Sequence, residues 1–245
     1  MLKSKYNTTT NYSPNFDIKK RKVKEIKYII FHYTGMKSEI AALDKLTSFK
    51  SKVSCHYFVK NSGAIISLVP DLYIAWHAGI SKWKKNYLLN KNSIGIEISN
   101  PGHKVNYKKY SDNQIKSIIK LSKFLINKYK INKKNVLGHS DVAPDRKIDP
   151  GEKFPWKYLA KKKIGYWHNL NEKNLIKKRN IGICHSDKNK FIKNLFEIGY
   201  PRNYDIFFPN YSKLLTKAFQ MRFRQGLING IIDEECLIIS ENLLK

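Results

Sequence analysis

Cysteine is scarce: Cys55, Cys184 and Cys236 stand far apart, and none belongs to a Cys-x-x-Cys pair. That excludes a disulfide framework and a zinc-ribbon pattern, and leaves reduced thiols without chemistry of their own. Long apolar runs are missing as well. The first 24 residues are polar and lysine-rich, with no apolar stretch of the length a signal peptide or membrane span requires. Taken alone, this reads as a soluble, cytoplasmic protein. Acidic residues are few, 19 Asp and Glu against 47 Lys and Arg, for a formal net charge of +28. Such a charge first suggests nucleic acid. The lysines, however, are scattered over the whole chain, and runs such as Lys161-Lys162-Lys163 and Lys177-Lys178-Arg179 fall between candidate elements. No specific nucleic-acid partner is expected, whereas attraction to any polyanionic surface is compatible with the charge.

What is present suffices for a core: 42% of the 245 residues are apolar and 13% aromatic. Residues 1–24 read as a polar N-terminal arm. The run Tyr28-Ile29-Ile30-Phe31 ends at His32 and has the look of a buried central strand. A helix should follow, capped by Ser38, with Ile40, Leu43, Leu46 and Phe49 on its inner face. Next comes a hairpin from Cys55 to Val69, turning at Asn61-Ser62-Gly63. In the strand Ser93 to Ser99, Ile94, Ile96 and Ile98 face one way, Gly95 and Glu97 the other. Ser111 and Gln114 form a capping box for a long helix ending near Lys130, and the short strand Val136-Leu137 leads into Gly138-His139. Strands interleaved with helices predict an α/β domain over residues 25–165, with a mixed central sheet flanked by helices. A linker at 166–187 and a small three-helix C-terminal domain at 188–245 complete the expected organisation.

Chemistry concentrates at strand ends, where an α/β scaffold places it. His32 closes the first strand, and Glu97 lies on the face of its strand opposite the isoleucines. The segment from Gly138 to Gly151 carries His139, Asp141, Asp145, Arg146, Lys147 and Asp149 in a proline-punctuated loop. A catalytic zinc takes three protein ligands and keeps one open position. His32 and His139 are natural candidates, with one carboxylate as the third. Asp141 is awkwardly close to His139 in sequence, and spacing does not choose between Asp145 and Asp149.

These segments resemble the zinc amidase family that includes bacterial N-acetylmuramoyl-L-alanine amidases and the peptidoglycan recognition proteins, most closely its envelope-associated bacterial branch. The matching pieces are Ile30-Phe31-His32-Tyr33-Thr34, Val53-Ser54-Cys55-His56-Tyr57, Ala75-Trp76-His77-Ala78-Gly79, Asn92-Ser93-Ile94-Gly95-Ile96-Glu97 and Gly138-His139-Ser140-Asp141 through Asp149-Pro150-Gly151. They stand in family order over roughly residues 26–160. The resemblance implies one zinc ion held by His32, His139 and Asp149, a general base at Glu97 and a catalytic cation at Lys147. Its substrate would be peptidoglycan or muropeptides, cut between N-acetylmuramic acid and L-alanine. His77 and Asn92 are the candidate substrate contacts. His56 reads as a packed residue or one behind the ligands, and His103, His168 and His185 as solvent-exposed. Some relatives carry a Tyr that assists catalysis where this chain has Cys55, a role a thiol does not inherit.

Phe191 to Tyr200 and Ala218 to Ile231 are similar, more faintly, to a three-helix peptidoglycan-binding module. That module's Asp-Gly-x-Phe-Gly turn is replaced here by Tyr204-Asp205-Ile206-Phe207-Phe208. Such a module would favour the cell envelope, reached by a non-standard route, over the cytoplasm. The chain is expected to be a monomer. Two rivals are a recognition protein that binds without cutting and a basic nucleic-acid binder. Retention of His32, His139, Asp149, Glu97 and Lys147 argues against the first, and the ordered motifs argue against the second.

Overall fold

The computed structural model describes residues 8–202 and 210–245. In chain order, β1 (Thr8–Thr10), β2 (Phe16–Asp17), β3 (Tyr28–Tyr33) and α1 (Glu39–Thr47) come first. Then follow β4 (Tyr57–Val59), β5 (Ile65–Ser67), β6 (Ile74–Ala75), β7 (Lys82–Trp83), β8 (Asn86–Tyr87) and β9 (Ser93–Ile98). The remainder is α2 (Asp112–Tyr129), β10 (Val136–Gly138) and six helices: α3 (His139–Val142), α4 (Trp156–Lys161), α5 (Glu172–Lys178), α6 (His185–Ile198), α7 (Tyr211–Phe223) and α8 (Glu234–Leu244). The main sheet has the order β1-β5-β4-β9-β3-β10. Only β4 and β5 pair antiparallel; every other neighbouring pair is parallel, so the sheet is mixed, as expected.

The apolar run of β3 is continuous because both of its faces are covered. Ile29 and Phe31 pack with Ile94, Ile96 and Ile98 of β9 and with Ile118, Leu121 and Leu125 of α2. Tyr28 and Ile30 face the opposite way, into a cluster with Phe191, Leu195, Phe219 and Phe223 of the C-terminal helices. The capping box of α2 is formed, Ser111 accepting from the Gln114 amide and Gln114 from the Ser111 amide. The hairpin turns on Gly63 at φ 86°, where an added Cβ would sit 2.7 Å from the carbonyl oxygen of Asn113.

Four features differ from the sequence reading. On α1 the buried residues are Ala42 and Leu46, while Ile40 is 73% and the nearby Phe49 64% exposed. Residues 8–24 are no free arm. β1 pairs with β5, and Ser13, Asn15 and Arg21 are buried through bonds to backbone carbonyls, Arg21 reaching Asp71, Asn90 and Ser93. The stretch taken for a linker contains α5 and buries Tyr166 and Leu175 in the cluster shared by sheet and C-terminal helices. His168 is buried, not exposed. Tyr204 to Phe208, the replaced turn, lies outside the described residues. The three C-terminal helices stand where expected, α6 ending at Gly199 and α8 capped by Asp233.

Asp71 ties α2 to the sheet, accepting from Tyr57 and Tyr129 hydroxyls and from the Lys128 ammonium. Burial pushes its carboxyl up, but bonds from Tyr129, Tyr57 and Lys128 outweigh this and hold it below the ordinary value. A depressed carboxylate contributes stability that is present above the unfolded pKa of about 3.9 and lost as pH falls through the folded one. The stability advantage of wild type over Asp71→Asn should therefore be large near pH 7 and shrink below about pH 4. Urea titrations at several pH values measure it; an advantage that grows on acidification would refute the assignment.

Candidate metal centre and active-site groove

The parallel pairing of β3 with β9 sets His32 opposite Glu97, and the pairing with β10 brings His139, the next residue after that strand, alongside. The loop after α3 then returns Asp149 to both histidines. His32 Nδ1 and His139 Nδ1 lie 2.9 Å apart, and each is 3.1 Å from Asp149 Oδ2. All three residues are buried, and they are the one cluster of this kind among the described residues. Asp145, which spacing does not separate from Asp149, is not in it, and neither is Asp141. Asp141 points away, accepting from the Gly138 amide and the Tyr200 hydroxyl and pairing with Arg222.

The donor set suits a divalent cation. His139 Nε2 is 3.1 Å from the Ala78 carbonyl oxygen, which only accepts, so that nitrogen carries the proton and a neutral ring turns its Nδ1 lone pair toward Asp149. Burial first, then the neighbouring His139, lowers His32 to about 4, so its ring is neutral at pH 7. Two imidazole nitrogens and a carboxylate oxygen converging at one point on the groove form a ligand set typical of zinc.

The groove has a volume of about 320 Å³ and is lined by Tyr33, Lys45, Trp76, Glu97, Lys104 and Lys147 among others. Glu97 contributes a half-buried carboxyl whose Oε2 is enclosed and has no hydrogen-bond partner. Burial first, then the charge of Asp149, pushes it up to about 8, partly offset by Lys147. Lys147 lies on the groove wall beside Ile148 and Asp149. Of the two candidate substrate contacts, His77 lines the groove; Asn92 does not, its amide bonding Asn86 at 3.2 Å. His56 is fully buried, its Nδ1 accepting from the Gly95 amide at 3.0 Å. Cys55 is buried too, its thiol pushed well up by burial and then by Glu97. His103 sits at the rim between Tyr33 and Glu152, and His185 is exposed.

Sequence reading passed over Asn90 and Ser93. The Asn90 side-chain oxygen accepts from the amides of both His77 and Ala78, and Ser93 Oγ is 3.1 Å from His77 Nε2. One signal was available: Gly95, where the strand alternation calls for a side chain. A Cβ there would lie 2.6 Å from His77 Nδ1, so the glycine makes room for that ring.

Among the described residues no helix is long and apolar enough to cross a membrane. The family model described as N-acetylmuramoyl-L-alanine amidase matches residues 22–152, more than half of the chain. The N-acetylmuramoyl-L-alanine amidase AmiD of Escherichia coli is 36% identical over 232 residues, which are 90% of this chain and 83% of AmiD. Its structure in complex with anhydro-N-acetylmuramic acid-L-Ala-D-γ-Glu-L-Lys superposes with a TM-score of 0.81, covering 90% of this chain and 89% of that one. AMPDH3 of Pseudomonas aeruginosa, in complex with anhydromuramic pentapeptide, is 29% identical with a TM-score of 0.78, covering 99% of this chain and 97% of its own. The 1,6-anhydro-N-acetylmuramyl-L-alanine amidase AmpD of Escherichia coli is 38% identical over 105 residues, 43% of this chain and 55% of AmpD. With a family model over most of the sheet and its histidines, and AmiD matched along 83% of its length, this chain belongs to the N-acetylmuramoyl-L-alanine amidase family.

Proposed function

We propose that this chain hydrolyses the amide between N-acetylmuramic acid and L-alanine in peptidoglycan or its muropeptide fragments, with His32, His139 and Asp149 holding one zinc ion. The observation that carries the reading is the convergence of those three ligand atoms beside a half-buried Glu97, one of whose oxygens is enclosed without a partner. Zinc in such a site supplies Lewis acidity and lowers the pKa of water toward neutrality. Glu97, across the ladder from His32, takes the proton from the attacking water and delivers it to the departing alanine nitrogen. Lys147 offers its ammonium to the oxyanion that develops on the former carbonyl oxygen. The complexes of AmiD and AMPDH3 with anhydromuramic peptides support a muropeptide as the ligand of the groove.

Mass spectrometry of purified muropeptides tests this, with zinc-loaded protein beside a chelator-treated sample. Free stem peptides beginning at L-alanine are expected only with zinc. Equal cleavage after chelation would remove the metal from the mechanism. No cleavage of polymeric or anhydro substrates by protein with zinc confirmed bound would favour the recognition protein that binds without cutting.

A further inference from the structure

We infer that the dipeptide His77-Ala78 orients both histidine ligands, and that the side chain of His77 is a positioning residue for His32 and not a substrate contact. The inference rests on the metal site proposed above.

Two backbone carbonyls determine the arrangement. Ser93 Oγ lies 2.5 Å from the Leu89 carbonyl oxygen, which accepts the single hydroxyl proton. Having spent that proton, Ser93 can only accept from His77 Nε2, 3.1 Å away. His77 Nε2 therefore carries a hydrogen, and in the neutral ring Nδ1 is an acceptor. His32 Nε2 stands 3.0 Å from that acceptor and must donate to it. This leaves His32 Nδ1 as a lone pair aimed at His139 and Asp149. On the other side the Ala78 carbonyl does the same for His139. The hydrogen bonds run in one direction, from His32 through His77 and Ser93 to Leu89, so reversing one would require reversing all. Ligating histidines held by such partners gain a defined tautomer and ring orientation.

The dipeptide is itself clamped. Asn90 Oδ1 accepts from the Ala78 amide at 2.7 Å and the His77 amide at 3.2 Å, and Arg146 donates to the Ala78 carbonyl. Gly95 leaves the space that the His77 ring occupies.

The test compares His77→Leu, which removes the acceptor, with His77→Asn, whose amide oxygen can stand near the position of Nδ1. Zinc affinity is read by chelator competition and ligand geometry by the absorption of cobalt-loaded protein. His77→Leu should bind zinc about 10–100-fold more weakly and shift the cobalt spectrum, while His77→Asn recovers most of both. A substrate contact would instead raise KM in both variants with zinc affinity untouched, and that result overturns the inference. So does equal weakening by Leu and Asn, which would reduce His77 to packing. Should His77→Leu fail to fold, Ser93→Ala serves: weaker zinc binding at an unchanged urea midpoint supports the relay, and unchanged affinity refutes it. Wild-type protein that binds no zinc would refute the metal site itself, an outcome distinct from wild type and variants binding alike.

Discussion

Glu97→Ala should lower kcat for muropeptide cleavage by about 10²–10⁴-fold while zinc stoichiometry and fold stay as in wild type. Glu97 is on β9, on the side away from the three isoleucines, and its carboxyl reaches the groove without joining the His32, His139 and Asp149 cluster. One of its oxygens is buried without a partner, so truncation breaks no hydrogen bond at that atom. The ligand atoms and the partners of their far nitrogens are untouched by the change. His139→Ala is the contrasting case: it removes one of the three ligand atoms, and both metal and activity should be lost. Zinc content by atomic absorption, circular dichroism and stem-peptide release by mass spectrometry read the outcomes together. Cleavage by Glu97→Ala at the wild-type rate would mean that another group moves the proton.

Arg222→Met should destabilise the protein by about 3–5 kcal/mol, read as a lowered urea midpoint. Arg222 of α7 and Asp141 of α3 are each 1% exposed and form an ion pair across the junction of the C-terminal helices with the catalytic sheet. Arg222 also donates to the Val136 carbonyl of β10 at 2.9 Å, and its guanidinium lies 4.3 Å from the centre of the Trp156 ring. Removing the cation leaves a buried carboxylate with only the Gly138 amide and Tyr200 hydroxyl to compensate it. The Asp141→Asn, Arg222→Met double variant should recover part of the loss, since no ionised group is then stranded. A single-variant effect below about 1 kcal/mol would show that the pair contributes little, as exposed pairs do. The same pair bears on the site, because Asp141 is two residues from His139 on the helix that carries it.

Much of the site was legible because its signals are local. A histidine at the end of a continuous apolar strand stands at the end of the sheet's strands whatever the rest of the chain does, which made His32 and His139 readable. Strict alternation along β9 gave Glu97 its face, and the capping box placed the start of α2. The choice of Asp149 over Asp141 and Asp145 was not local. Asp149 is brought back to His139 by a turn in which the Ser140 amide donates to the Asp149 carbonyl at 2.8 Å, while Asp141 is drawn off by Arg222, 81 residues away in sequence. Asn92 sits in a matching motif but bonds its own loop, so motif membership did not carry it into the groove.

By itself, the amino-acid sequence determined the class of fold, the order of its principal elements, and which side chains stand at the strand ends, since each follows from short-range periodicity and capping. Tertiary structure decided what neighbours alone can decide. It turned Ala42 and Leu46 of α1 inward in place of Ile40, because burial depends on which face meets the sheet. It buried Ser13, Asn15 and Arg21, polar residues that composition assigns to solvent, because the carbonyls they bond belong to α1 and to distant loops. It also set the hydrogen-bond partners of His32, His77 and His139, which depend on where the carbonyls of Ala78 and Leu89 end up once the chain has closed around them.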